Sequence, residues 1–227
     1  MDNMAKHRAS TPHQVTPNQG AVRNIHSVIA PRTESGLERI IFFSDAVIAI
    51  AITLLALEIR LPEEAIAPSE LTAQLLALIP RYLTYFISFF VIGLFWMSHH
   101  HMFEYIQTYD RGLIWINLIF LSLVAFIPFP TSVLGRFPGE LSSVVLYAGV
   151  LVCLSLTRVW LWWYVYYRAH LTRPDTNPRA GRIELRRALW TGSVFGLSLL
   201  VAFWNPNWAR YLWILLFPIS LLTRPTT

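Results

Sequence analysis

Six apolar blocks, at approximately residues 37–60, 82–105, 112–134, 141–167, 186–204 and 208–223, dominate this chain. Each supplies roughly the ~20 residues that a bilayer's hydrocarbon core demands of a helix. Backbone inside lipid must satisfy its own hydrogen bonds, which leaves helices or closed barrels. The blocks are continuous rather than alternating and too long for barrel strands. The expected fold class is therefore all-α: a polytopic membrane protein with six transmembrane helices. The fifth and sixth blocks are the shortest, and Trp204-Asn205-Pro206-Asn207-Trp208 between them reads as a tight interfacial hairpin. Composition agrees, since only 14% of the 227 residues are charged, against ~25% in ordinary soluble domains.

The formal charge of +5 raises the question of nucleic acid, but the basic residues lie between apolar blocks rather than along one patch, so no nucleic-acid partner is expected. Their distribution sets orientation instead. With the N-terminus inside, Lys6, Arg8, Arg23, Arg32, Arg39, Arg111, Arg168, Arg173, Arg179, Arg182, Arg186, Arg187 and Arg224 face the cytoplasm, and only Arg60, Arg81, Arg136 and Arg210 face out. Both termini are thus expected to be cytoplasmic. Residues 1–35 mix Pro, Gln, Asn, His and Arg without sustained period and read as a mostly disordered cytoplasmic tail. They offer no apolar h-region, so the first block is expected to stay in the mature protein. Ser35 and Glu38 have capping-box spacing, which predicts a helix N-terminus there. The domain plan is tail 1–35, a six-helix transmembrane domain 36–224, and a C-terminal end 225–227. Cys153, the single cysteine, excludes an intramolecular disulfide framework or a Cys-based zinc site and is read as a packing residue.

Asp45 is the residue the membrane should have excluded. A carboxylate two or three turns into an apolar helix is costly unless paired or hydrated. Arg39, six residues away on the same helix, is badly placed to reach it, because helical neighbours are three or four apart. The partner must come from another segment. Trp96 and His100, at i and i+4 near the end of the second block, and Asn117 in the third, are expected at the same depth. Indole, imidazole and amide can all donate to a carboxylate. A helix-clamping network is the plainer reading, with a proton relay or ion coordination as alternatives. The run His99-His100-His101 makes a poor metal site, because consecutive helical residues point about 100° apart. Arg158, inside the fourth block, either snorkels to the inner interface or forms a structural pair. Along the first helix, Ile50, Leu54 and Leu57 repeat at i, i+4 and i+7 with Thr53 beside them; spacing alone fits helix packing or lipid contact. The glutamates Glu58, Glu63, Glu64 and Glu70 after that helix read as a solvated loop or a cation-attracting vestibule. No nucleotide-binding, metallohydrolase or nucleophile-elbow motif occurs, so no enzyme is expected and no cofactor.

Arg39-x-x-x-Phe43-Ser44-Asp45 followed by Ala46-Val47-Ile48-Ala49-Ile50-Ala51-Ile52-Thr53-Leu54-Leu55 resembles the signature of the transmembrane protein 175 family of potassium-permeable channels. Trp96-x-x-x-His100, Asn117 and Pro128-Phe129-Pro130-Thr131 extend the likeness; the later blocks match only in hydrophobicity and number. The resemblance implies a homotetrameric channel of the bacterial single-repeat type in the plasma membrane, conducting K+ with weak discrimination, its pore lined by first helices. It implies a hydrophobic constriction at Ile50, Leu54 and Leu57, a polar layer at Thr53, and a supporting network of Arg39, Phe43, Ser44, Asp45, Trp96, His100 and Asn117. His99 is an alternative to His100 in that network. No metal is implied beyond permeating K+. A proton-coupled transporter using Asp45 and His100, or a non-conducting membrane scaffold, are the competing readings.

Overall fold

The computed structural model describes residues 19–61, 67–174, 176 and 178–214, with side chains over 36–61, 67–174, 176 and 181–213. The elements are α1 (Gln19–Leu57), α2 (Leu71–Ala77), α3 (Ile79–Glu104), α4 (Arg111–Phe126), α5 (Pro128–Arg136), α6 (Leu141–Trp163), α7 (Pro178–Ala202) and α8 (Pro206–Ile214), with a π-helical turn extending α6 over Tyr164–Arg168. It is an all-α polytopic membrane protein. Four stretches are long and apolar enough to cross a bilayer: Gly36–Leu57, Ile79–Glu104, Arg111–Arg136 and Leu141–Arg168. The fifth block lies in α7, which is long enough but opens with arginines and a glutamate. The sixth extends beyond α8 into residues outside the described ones.

The first helix does not begin where the capping box predicts. α1 is continuous from Gln19, so residues 19–35 of the expected tail belong to it, and residues 1–18 lie outside the described residues. A helix that continues upstream supplies carbonyls to its own N–H groups, so a Ser-x-x-Glu spacing inside it has nothing to cap.

Residue spacing fixes the buried faces. α1 turns Leu37, Ser44, Ile48, Ala51 and Leu55 inward, and α3 does so with Thr84, Ser88, Val91, Phe95, His99 and Met102, both at the three-and-four periodicity of a helix face. The third span is two helices in series. Pro128 removes a backbone donor and opens α5 at its first position, and the Thr131 N–H bonds back to the Ile127 carbonyl at 3.0 Å. One large apolar cluster, including Ile48, Phe95, Phe120, Leu151 and Phe195, joins α1, α3, α4, α6 and α7. Lipid is as apolar as leucine, so close packing between helices must do much of the cohesion. At Gly192 of α7 an added Cβ would lie 3.2 Å from Ser155 Cβ of α6, tighter than ordinary contact, so the missing side chain lets the two helices approach closely. The Trp204–Trp208 segment forms the tight turn its Pro and Asn residues predict, with Asn205 Oδ1 accepting from the Asn207 N–H at 2.9 Å.

Two sequence expectations need adjustment. Cys153 is exposed, because α6 buries Tyr147, Leu151, Leu154 and Arg158 on another face. It is not a core-packing residue. Arg158 does not snorkel: it is 5% exposed, with its guanidinium 5.8 Å above the Phe95 ring, the structural-pair alternative realised as a cation–π contact.

Candidate functional site: the first span and its polar partners

Opposite its buried stripe, α1 presents Phe42, Phe43, Ala46, Ala49, Ile50, Thr53, Leu54 and Leu57 to the outside of the chain. Ile50, Leu54 and Leu57 are 58%, 40% and 57% exposed. None of the constriction candidates therefore belongs to the protein's own core. Thr53 Oγ1 donates to the Ile50 carbonyl at 2.8 Å, the usual back-bond of a helical threonine. Its proton is thereby committed, and the oxygen lone pairs remain free to accept. Leu54, Leu57 and Glu58 form one wall of an open groove of ≈570 Å³ whose other wall includes Phe126, Phe129 and Arg136. Of the remaining vestibule glutamates, Glu70 is exposed, while Glu63 and Glu64 lie outside the described residues.

Two polar connections tie α1 to its neighbours. The Trp96 indole Nε1–H donates to Asp45 Oδ1 at 2.8 Å, so Asp45 does draw its partner from another segment. The second is a one-way chain of donors: His99 Nε2–H to Asn117 Oδ1 at 2.9 Å, Asn117 Nδ2–H to Ser44 Oγ at 2.9 Å, and Ser44 Oγ–H to the Ile40 carbonyl at 2.8 Å. The amide oxygen can only accept, which assigns the hydrogen to His99 Nε2. Asn117, His99 and Ser44 are all buried, and His99 packs between the Phe103 and Phe120 rings with centroids at 4.4 and 5.1 Å.

Not every predicted partner joins. His100 stacks on Trp96 at 5.6 Å and faces Glu104 at 3.7 Å, so it shares the Trp96 face without bonding to Asp45. His99 takes the position in the chain to Asn117 that sequence spacing assigned first to His100. Arg39 and Phe43 are exposed and stand outside both connections. Among the described residues no cluster of His, Cys, Asp and Glu is arranged to hold a metal ion.

Two further polar groups were not singled out from sequence. Ser88 Oγ lies 3.0 Å from the Tyr147 hydroxyl and 2.9 Å from Thr131 Oγ1, joining α3, α5 and α6 in the apolar interior. Their signal was available as hydroxyl residues inside apolar blocks. Asp110 caps α4 through the Leu113 N–H at 2.8 Å and accepts from the Tyr164 hydroxyl at 2.5 Å, a role visible as an Asp directly before an apolar run.

Residues 39–128, which contain both connections, match the family described as Endosomal/lysosomal potassium channel TMEM175. Over 161 residues the chain is 40% identical to a potassium channel of Streptomyces collinus, a match that covers 69% of this chain and 77% of that one. The chain belongs to the TMEM175 family. A potassium channel of Chamaesiphon minutus is 38% identical to this TMEM175-family chain over 135 residues, 58% of this chain and 66% of the other. The fold agrees: the crystal structure of a lysosomal potassium-selective channel TMEM175 homolog from Chamaesiphon minutus superposes with TM-score 0.73 at 28% identity, over 82% of this chain and 97% of that one.

Proposed function

We propose that this TMEM175-family chain is a potassium-permeable channel of the bacterial plasma membrane. It assembles from four copies with α1 lining a central pore and is closed or narrowed by Ile50, Leu54 and Leu57. Each subunit contributes six spans with both termini cytoplasmic; the fifth is built from α7. The observation that carries the reading is the bare apolar face of α1. A helix that packs Ile48, Ala51 and Leu55 inward while leaving Ile50, Thr53, Leu54 and Leu57 uncovered has a second face free for a partner outside its own subunit, which supports a place at an axis. Relatives with names as potassium channels set the ion.

Rings of isoleucine and leucine offer no oxygen to replace a hydration shell, so such a constriction works by steric narrowing and dewetting. Thr53, with its hydroxyl hydrogen held by the Ile50 carbonyl, turns only lone pairs outward. A ring of such oxygens favours a cation, and of the two common monovalent cations the more cheaply dehydrated potassium. Asp45, Trp96, Ser44, Asn117 and His99 serve as supports that hold α1 against α3 and α4. The proton-relay alternative draws no support from His100, which stacks on Trp96 while Trp96 occupies Asp45.

Potassium flux into liposomes carrying the full chain, with a sodium control, tests the reading. Ile50→Asn is expected to raise flux by wetting the constriction, and Thr53→Ala to erode the preference for potassium. Wild-type behaviour in both variants removes α1 from the pore, and absence of flux altogether leaves a scaffold.

A further inference from the structure

Where α3 ends and α7 begins, a cluster of ionisable side chains lies apart from the first-span supports. An antiparallel bridge between Ile106 and Thr172 folds the segment after α6 back beneath α3, and α7 then rises beside it. Glu184, in the second turn of α7, is 6% exposed. Its Oε1 accepts from Arg187 Nη1 at 2.7 Å and lies 3.5 Å from His101 Nε2. The other ring nitrogen, Nδ1, is 3.0 Å from Glu104 Oε2, and the Tyr105 hydroxyl is 3.3 Å from Nε2. One imidazole thus meets two carboxylates and a phenol, from two different helices.

The neighbours dictate where the hydrogens sit. Glu104 can only accept, so Nδ1 carries the hydrogen of the neutral ring, and Nε2 offers its lone pair to the Tyr105 hydroxyl. That phenol stays protonated, because burial and the Glu184 and Glu104 carboxylates push its pKa above the ordinary tyrosine value. A proton added at Nε2 reverses this nitrogen's role. It can no longer accept from Tyr105, and it becomes a charged donor facing Glu184. A bond within the end of α3 is exchanged for a charge-assisted bridge from α3 to α7.

We propose that His101 is a proton-binding site that clamps the start of α7 to the end of α3 when the side of the membrane bearing this cluster becomes acidic. That side is the cytoplasm in the orientation given under Proposed function, and this is the only point at which the inference rests on that reading. The charged and titratable groups around it are His100, Glu104 and Tyr105 from α3, Glu184 and Arg187 from α7, and Arg158 from α6. The two carboxylates lie 3.0 and 3.5 Å from the ring nitrogens, and Arg187 bonds to the Glu184 carboxylate. Glu104 also faces His100, which stacks on Trp96, so the clamp lies close to the indole that holds Asp45 of α1. Imidazole changes charge between roughly pH 5 and 8. A charged Nε2–H has the Glu184 carboxylate 3.5 Å away to meet, so the bridge between α3 and α7 belongs to the acid side of that window.

The test is thermal and chemical unfolding of the full chain in detergent at pH 6 and pH 8, for wild type, His101→Gln, Glu184→Gln and the double variant, at one protein concentration. The expected result is a coupling between residues 101 and 184 of about fivefold in the unfolding constant at pH 6 that shrinks toward unity at pH 8. Tyr105→Phe, which removes the competing donor, is expected to move the acid transition to higher pH. Equal coupling at both pH values, or parallel pH curves for wild type and His101→Gln, overturns the proposal. If Glu184→Gln does not fold, the wild type against His101→Gln and Tyr105→Phe decides alone. Unfolding is read without reference to conduction, so a failed clamp and a failed channel remain separate results.

Discussion

Replacing Asn117 with leucine measures how firmly α1 is held. Asn117 is buried between Ser44 of α1 and His99 of α3 and bonds to both at 2.9 Å. Leucine fills a similar volume but makes neither bond. Ser44 loses little, because its hydroxyl still donates to the Ile40 carbonyl at 2.8 Å. His99 loses its acceptor while enclosed by Phe103 and Phe120, where no other polar atom among the described residues is bonded to it. A stranded buried donor costs about 1–3 kcal/mol, whereas interhelical hydrogen bonds inside membranes average about 0.6 and reach about 1.7 kcal/mol. We therefore expect Asn117→Leu to destabilise by about 1–2 kcal/mol, up to roughly thirtyfold in the unfolding constant. His99→Phe keeps an aromatic ring in the same slot without a donor, so adding it to Asn117→Leu removes the stranded group and recovers about 1 kcal/mol. The assay is equilibrium unfolding in mixed micelles for the four members of the cycle, at fixed protein concentration because assembly shifts apparent stability. Additivity within about 0.5 kcal/mol refutes the reasoning, since it means that His99 finds another acceptor or was never held by Asn117.

Asp110→Ala removes both the α4 cap and the acceptor of the Tyr164 hydroxyl; a loss of about 1–2 kcal/mol is expected by thermal unfolding, with Asp110→Asn losing less. Trp96→Phe keeps the ring beside His100 but deletes the indole donor to Asp45. Lower yield of monodisperse protein by size-exclusion chromatography is expected, and pairing it with Asp45→Asn is expected to be milder than the two losses added together.

The helical class was legible because lipid imposes length and polarity on every span, and the first four blocks obey that constraint as helices of spanning length. Asp45 was legible for the same reason: a lone carboxylate in an apolar run demands an outside partner, and Trp96 supplies it. The choice between His99 and His100 was harder. Both sit one turn from Trp96, and the i, i+4 rule correctly puts His100 on the Trp96 face, where it stacks. The buried bond belongs to the next face round, which points His99 at α4, and a single helix period does not tell which neighbour lies on which side. Ser35 and Glu38 misled because a capping pattern reads the same within a continuing helix as at a true start. The link from Thr131, quoted only within the family likeness, to Ser88 and Tyr147 went unnoticed because serine and threonine in apolar helices commonly satisfy themselves on their own backbone, as Thr53 does, and sequence does not distinguish that case from a bond across helices.

The near-contact between Gly192 and Ser155 sets a rule for tolerance along the seam between α6 and α7. Where a glycine faces a neighbouring side chain this closely, bulk rather than polarity decides which replacements survive: alanine in place of Ser155 adds no atom to the seam, while a methyl on Gly192 would meet Ser155 Cβ at 3.2 Å and fit only if α6 or α7 gives by a few tenths of an ångström.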